Sequence, residues 1–108
     1  MRDDKDTRKR LLALLDRDLF DPILGKTREH FGRLDDKHRY DDARRKISRE
    51  KSRYHDNCPT ALDIKENFLR DVESRSSQRL NQNLRALGLP TYLDLKDEFL
   101  KLCETYGM

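Results

Sequence analysis

Residues 37–54, KHRYDDARRKISREKSRY, set eight Lys and Arg against four apolar positions, Tyr40, Ala43, Ile47 and Tyr54. How this stretch is read decides the fold. At about 100° per residue the four apolar side chains lie within roughly 60° of one another, so a helix here carries one thin stripe and is otherwise charged. Tyr40, Ile47 and Tyr54 recur at steps of seven. That is the spacing of a coiled-coil contact line rather than of a broad core-facing surface. The expectation is a long helix laid against one neighbour along a packing seam of Tyr40, Ala43, Ile47 and Tyr54, and wet elsewhere. Asn57-Cys58-Pro59 should end it, because proline disfavours helix at the residue before it.

Upstream, a polar, frayed segment 1–6 is expected to lead into a helix starting near Asp6 or Thr7 and carrying Leu11, Leu12, Leu14, Leu15, Leu19 and Phe20. Asp21-Pro22 reads as a new helix start or as a kink. Ile23, Leu24, Phe31 and Leu34 continue an apolar face weakened by Gly25 and Gly32.

Downstream, PTALDIKENFL at 59–69 is echoed by PTYLDLKDEFL at 90–100, with seven of eleven residues shared. A solenoid needs about three such units. Two copies read instead as two similar helix starts, with Thr60 and Thr91 as caps and Asp63 and Asp94 three residues on. Ile64, Phe68 and Val72 form one stripe, and Leu80, Leu84 and Leu87 form a second, with Ser74–Ser77 a possible bend between them. The last helix is the most apolar, with Tyr92, Leu95, Phe99, Leu102, Cys103 and Tyr106 on one side.

No run alternates as a strand would. The expected fold is all-α: a single domain, 1–108, of three to four helices in antiparallel hairpins, forming an elongated helical bundle or coiled coil. The helices fall at about 7–20, 22–56 with a break near 32, 60–87 and 92–106. The longest are expected at 34–56 and 60–87.

Net charge is only +3, but residues 26–56 sum to +4 while 88–108 sum to −2. An anionic partner would meet the middle of the chain. Lys37, Arg39, Arg44, Arg45, Lys46, Arg49, Lys51 and Arg53 are the candidate contacts with an anionic surface. Arg45, Arg49 and Arg53 form an i, i+4, i+8 ridge opposite the seam.

Two cysteines make no disulfide framework, and a secretory leader is not evident, so reduced thiols and a cytoplasmic location are expected. The longest apolar run, Leu11–Leu15, is too short to span a bilayer, which leaves peripheral membrane association open. His38/Asp42 and His55/Cys58 do not reach a zinc-like set, and His30, His38 and His55 read as surface residues. No nucleophile elbow, phosphate loop or dinucleotide fingerprint occurs. No catalytic residues, metal or cofactor are therefore expected.

Three stretches resemble the BAR domain family, in its amphiphysin-like branch. Leu19-Phe20-Asp21-Pro22-Ile23 is similar to the start of that family's second helix. Tyr40-Asp41-Asp42-Ala43-Arg44 is similar to its aromatic-Asp-x-Ala-basic stretch. Leu80-Asn81-Gln82-Asn83-Leu84 with Leu89-Pro90 is similar to its third helix. The match spans about residues 19–92 and follows the family's order. Here Gly88 adds a residue before Leu89-Pro90, and Thr91 reads as a fresh cap where the family's helix continues. The resemblance implies a homodimer that applies cationic faces to anionic phospholipid surfaces and senses curvature. The alternatives from the residues themselves are a compact helical protein-interaction or regulatory module, and nucleic-acid binding by the same ridge.

Overall fold

The computed structural model describes residues 4–75 and 79–108. The fold is all-α, with no strand among the described residues. Helix α1 (Asp4–Leu15) passes through a π turn (Asp16–Phe20) into α2 (Asp21–Arg33). Then come α3 (Lys37–Asn57), α4 (Ala61–Arg75), α5 (Arg79–Ala86) and α6 (Tyr92–Thr105).

The first helix starts earlier than the caps at Asp6 or Thr7 implied. Residues 4–6 are already helical, and Thr7 is buried within α1. Asp4 instead reaches across the fold to accept a hydrogen bond from the Ala61 N–H, 3.3 Å away.

At Asp21-Pro22 the chain does not start afresh. Proline has no N–H, and its ring crowds the carbonyl four residues back. The helix accommodates this by widening one turn, so that the Asp21 N–H donates to the Asp16 carbonyl, an i→i−5 bond. Leu15, Leu19 and Phe20 all remain buried through this turn.

The break expected near 32 falls at Leu34–Asp36, so α3 starts at Lys37 rather than at 34. The Asp35 N–H donates to the Gly32 carbonyl and the Asp36 N–H to the Phe31 carbonyl. These paired bonds stop α2, with Asp35 in the left-handed region at φ 51°. Asp36 then caps α3 through the Arg39 N–H at 3.1 Å.

The repeated starts form as their spacing implies. The Thr60 hydroxyl accepts from the Asp63 N–H at 3.1 Å, and Asp63 accepts from the Thr60 N–H at 3.2 Å. Thr91 and Asp94 make the same reciprocal pair at 3.1 and 3.0 Å. Between the two, α5 closes on Gly88 at φ 72°, with Leu89 N–H to Leu84 O at 2.9 Å and Gly88 N–H to Arg85 O at 3.0 Å. The chain therefore breaks over 87–91 and does not bend as one helix through Pro90.

Within the 60–87 expected as helix, the described residues form α4 and α5 on either side of 76–78. Ser76 and Ser77, where a bend was expected, lie outside the described residues, as does the Leu80 side chain. Leu84 is buried, but Leu87 and Leu93 are exposed.

The core forms where α1 and the π turn lie against α4 and α6, with the end of α3 closing one side. Leu11, Leu15, Leu19, Ile64, Phe68 and Phe99 are completely buried. Phe68 and Phe99 occupy the same position of the two repeats and meet at 4.3 Å between ring centroids. Each such side chain contributes roughly 1.5–3 kcal/mol by burial.

Helices α2 and α3 pair as an antiparallel hairpin that extends beyond this core. The hairpin buries little of its own: Thr27 is the buried residue of α2, and Tyr54, at the core end, that of α3. The molecule measures 51 × 25 × 18 Å, with a radius of gyration of 14.7 Å. A compact chain of this length would have about 13 Å.

Two substitutions test these stops and starts by urea unfolding. Thr91→Ala should cost about 1 kcal/mol through the lost cap. Asp35→Gly should gain roughly 0.5–1 kcal/mol, because glycine takes the left-handed conformation without penalty.

Candidate anionic-surface interface

The apolar stripe on α3 is thin. Tyr54 is buried, while Tyr40, Ala43 and Ile47 are half-buried against α2 and the π turn. Tyr54 packs on Phe20 with ring centroids 5.9 Å apart. Burial alone does not hold this end of α3. The Tyr54 hydroxyl donates to Asp71 on α4, and so does the Arg53 guanidinium, which also lies over the Tyr54 ring at 5.0 Å. Asp71 is a buried carboxylate that therefore receives two strong donors. Beside it, the Tyr92 hydroxyl donates to Glu50.

Other contacts hold the opposite flank. His55 Nε2 lies 2.9 Å from Asp16, and Lys51 Nζ lies 3.1 Å from Asp21 and 4.0 Å from Asp16. Arg8 donates to the His55 carbonyl and, at 2.9 Å, to the Cys58 carbonyl. Those carbonyls end α3 and have no partner within the helix. His55 is thus half-buried and engaged, not the surface residue expected. His30 and His38 are exposed.

These contacts divide the eight expected surface cations. Lys51 and Arg53 are bound into the fold. Lys51 lies close to the seam, where the π turn supplies Asp16 and Asp21, and Arg53 faces α4, which the stripe on α3 alone does not reveal. Arg39 and Lys46 make exposed pairs within the hairpin, to Asp36 at 3.4 Å and Asp42 at 3.3 Å. Such pairs contribute little and leave the cations available to an outside anion. Lys37, Arg44, Arg45 and Arg49 are exposed, and among the described residues they make no ion pair.

Arg45 and Arg49 point away from the seam, and Lys37 and Arg44 lie on one flank. A groove of about 470 Å³ beside α3 is lined by Lys46, Arg49 and Arg53 together with Glu50 and Asp56. At the hairpin's end, Leu34 is 59% exposed between Arg33 and Lys37, with Asp35 and Asp36 beside it.

Among the described residues, no group of three or more His, Cys, Asp or Glu is placed to hold a metal ion. No helix among them is long and apolar enough to cross a membrane. The chain matches no protein family, no curated protein and no solved structure at a significant level.

Burial, the charge on Tyr92 and the bond to Asp71 push the Tyr54 hydroxyl far above the ordinary tyrosine range. A folded-state pKa raised above the unfolded value contributes stability that is complete below the unfolded pKa of about 10 and is lost as pH rises beyond it. Thermal unfolding between pH 8 and about 11 should therefore show a steeper loss for the native chain than for Tyr54→Phe. Asp71→Asn should cost roughly 1–3 kcal/mol at neutral pH, since the buried Tyr54 hydroxyl and the half-buried Arg53 guanidinium lose their charged acceptor.

Proposed function

We propose that the chain is a non-catalytic module that binds anionic membrane surfaces through the α2–α3 hairpin. The observation that carries this reading is the separation of charge along α3. Near the core its cations are consumed by carboxylates. Lys37, Arg44 and Arg45 further along α3, and Arg49 on its outer side, are not. A phospholipid headgroup layer offers phosphates to an extended cationic helix without demanding a shaped pocket, and each Lys or Arg near such a surface contributes about 1 kcal/mol. The exposed Leu34 at the hairpin's end adds an apolar contact of the kind that surface-bound helices use. The resemblance of residues 19–92 to the BAR family supports the same class of partner, and a curvature-sensing dimer would present two such hairpins.

A second reading has one specific observation in its favour. A cavity of about 170 Å³ lies between α2, α3 and α5, walled by Phe20, Ile23, Ile47, Leu84 and Leu89, with the exposed Leu87 at its edge. A cavity of this size accepts one apolar side chain, as a protein-interaction or regulatory module would require. Nucleic-acid binding by the cationic hairpin is the third reading.

Co-sedimentation with liposomes separates them. The chain should pellet with phosphatidylserine vesicles and not with neutral phosphatidylcholine vesicles, less so as salt rises. Arg45→Glu/Arg49→Glu should weaken this by roughly 30-fold or more, while Leu87→Glu leaves it unchanged. Equal, small pellets with both lipids would sink the membrane reading. A gel shift with steep salt dependence in the absence of lipid binding would favour nucleic acid.

A further inference from the structure

The internal repeat carries more than folding uses. Thr and Asp of each copy make the two capping boxes, and Phe68 and Phe99 meet in the core. Three further positions are also shared: Leu62 with Leu93, Lys65 with Lys96, and Leu69 with Leu100. None of these six side chains is buried. Leu62 is 52% exposed and Leu93 41%.

The structure brings both copies onto one face. Leu69, Val72 and Glu73, late in α4, line an open groove of about 400 Å³ with Leu93 and Lys96, early in α6. At the other end Lys65, early in α4, acts on the thiol of Cys103, late in α6, partly offsetting the rise that burial gives it. The two helices therefore run antiparallel and cross at equivalent phenylalanines. In such a pair equivalent flanks point to the same side. The outward face thus holds two related copies of Leu-x-x-Lys-x-x-x-Leu, four leucines around two lysines. Glu66 and Asp97, equivalent to each other, are exposed along its edges. Among the described residues, none of Lys65, Lys96, Glu66 and Asp97 makes an ion pair.

We propose that this α4–α6 face docks the same face of a second copy of the chain, forming a twofold dimer. A twofold contact requires a self-complementary surface. This face has that property. Its leucines need apolar cover, and its unpaired lysines and unpaired carboxylates are each other's counter-charges. A partner of one sign would satisfy only half of them, whereas a second copy supplies both. The repeat adds that all four helices meeting at the contact bring the same side chains. The dimer does not rest on the membrane reading, since the cations of that reading lie on α2–α3, which the contact leaves open.

Sedimentation equilibrium of the full chain, from about 1 to about 500 μM, tests the proposal. The mass should rise from the monomer's 13.0 kDa toward twice that value. Leu62→Glu/Leu93→Glu should weaken association roughly 30-fold or more, and Leu34→Glu at the far end of the hairpin should not change it. Circular dichroism checks that the variants are folded. Should the leucine variant not fold, the charge pair decides. Lys65→Glu/Lys96→Glu and Glu66→Lys/Asp97→Lys should each dimerise poorly alone and recover when mixed. A monomer at every concentration overturns the proposal, as does a dimer that neither set of substitutions weakens. A face that stays monomeric but captures an acidic amphipathic peptide would also overturn it. Because lipid binding is read separately in the liposome assay, failure of either idea leaves the other standing.

Discussion

The buried carboxylate of Asp71 is the contact on which the placement of α3 depends. Helix α3 cannot hold itself in place by burial. Its apolar stripe supplies one fully buried side chain, Tyr54, and three half-buried ones. An unpartnered tyrosine hydroxyl in that position would carry a desolvation cost comparable to what its ring gains. Asp71 removes that cost and in the same stroke binds Arg53. In turn, the paired donors make a buried negative charge tolerable. Arg8 completes the attachment by taking up the carbonyls at the end of α3.

From this anchor follows the shape of the molecule. One end of a 21-residue helix is tied to the core, and along the rest α2 is its main neighbour among the described residues. The hairpin therefore projects, and its charge is sorted by distance from the anchor. Close in, Asp16, Asp21, Glu50 and Asp71 meet Lys51, Arg53 and His55. Further out, the acidic residues make exposed pairs within their own helix or turn, and Lys37, Arg44 and Arg45 face water. This gradient, not the modest net charge, is the electrostatic feature a partner would encounter.

Much of this was legible in the order of residues. The thin stripe predicted a helix pressed on one neighbour, and Tyr40, Ala43, Ile47 and Tyr54 lie against α2 and the π turn. The two Pro-Thr starts predicted reciprocal caps, and both form. The widened turn was less visible, because Pro22 announces a disturbance without saying whether the helix ends or adapts. It adapts here because Leu15, Leu19 and Phe20 stay buried before and within the widened turn. The ion pairs of Lys51 and Arg53 were illegible. Their partners, Asp16, Asp21 and Asp71, lie 18 or more positions away, and nothing in a stripe of charges marks which carboxylate will arrive.

The sequence by itself determined the helical class and the capped starts at Thr60 and Thr91, because caps, stripes and breakers act within a few residues of one another. It also determined that the middle of the chain is cationic. Only the tertiary structure decided which of those cations stay outside. Ion pairing depends on distance in space, and the packing of α1, the π turn and α4 against the end of α3 sets those distances. The same packing turned two similar helix starts into one outward surface, since it is the antiparallel meeting of Phe68 with Phe99 that carries their outer flanks to the same side.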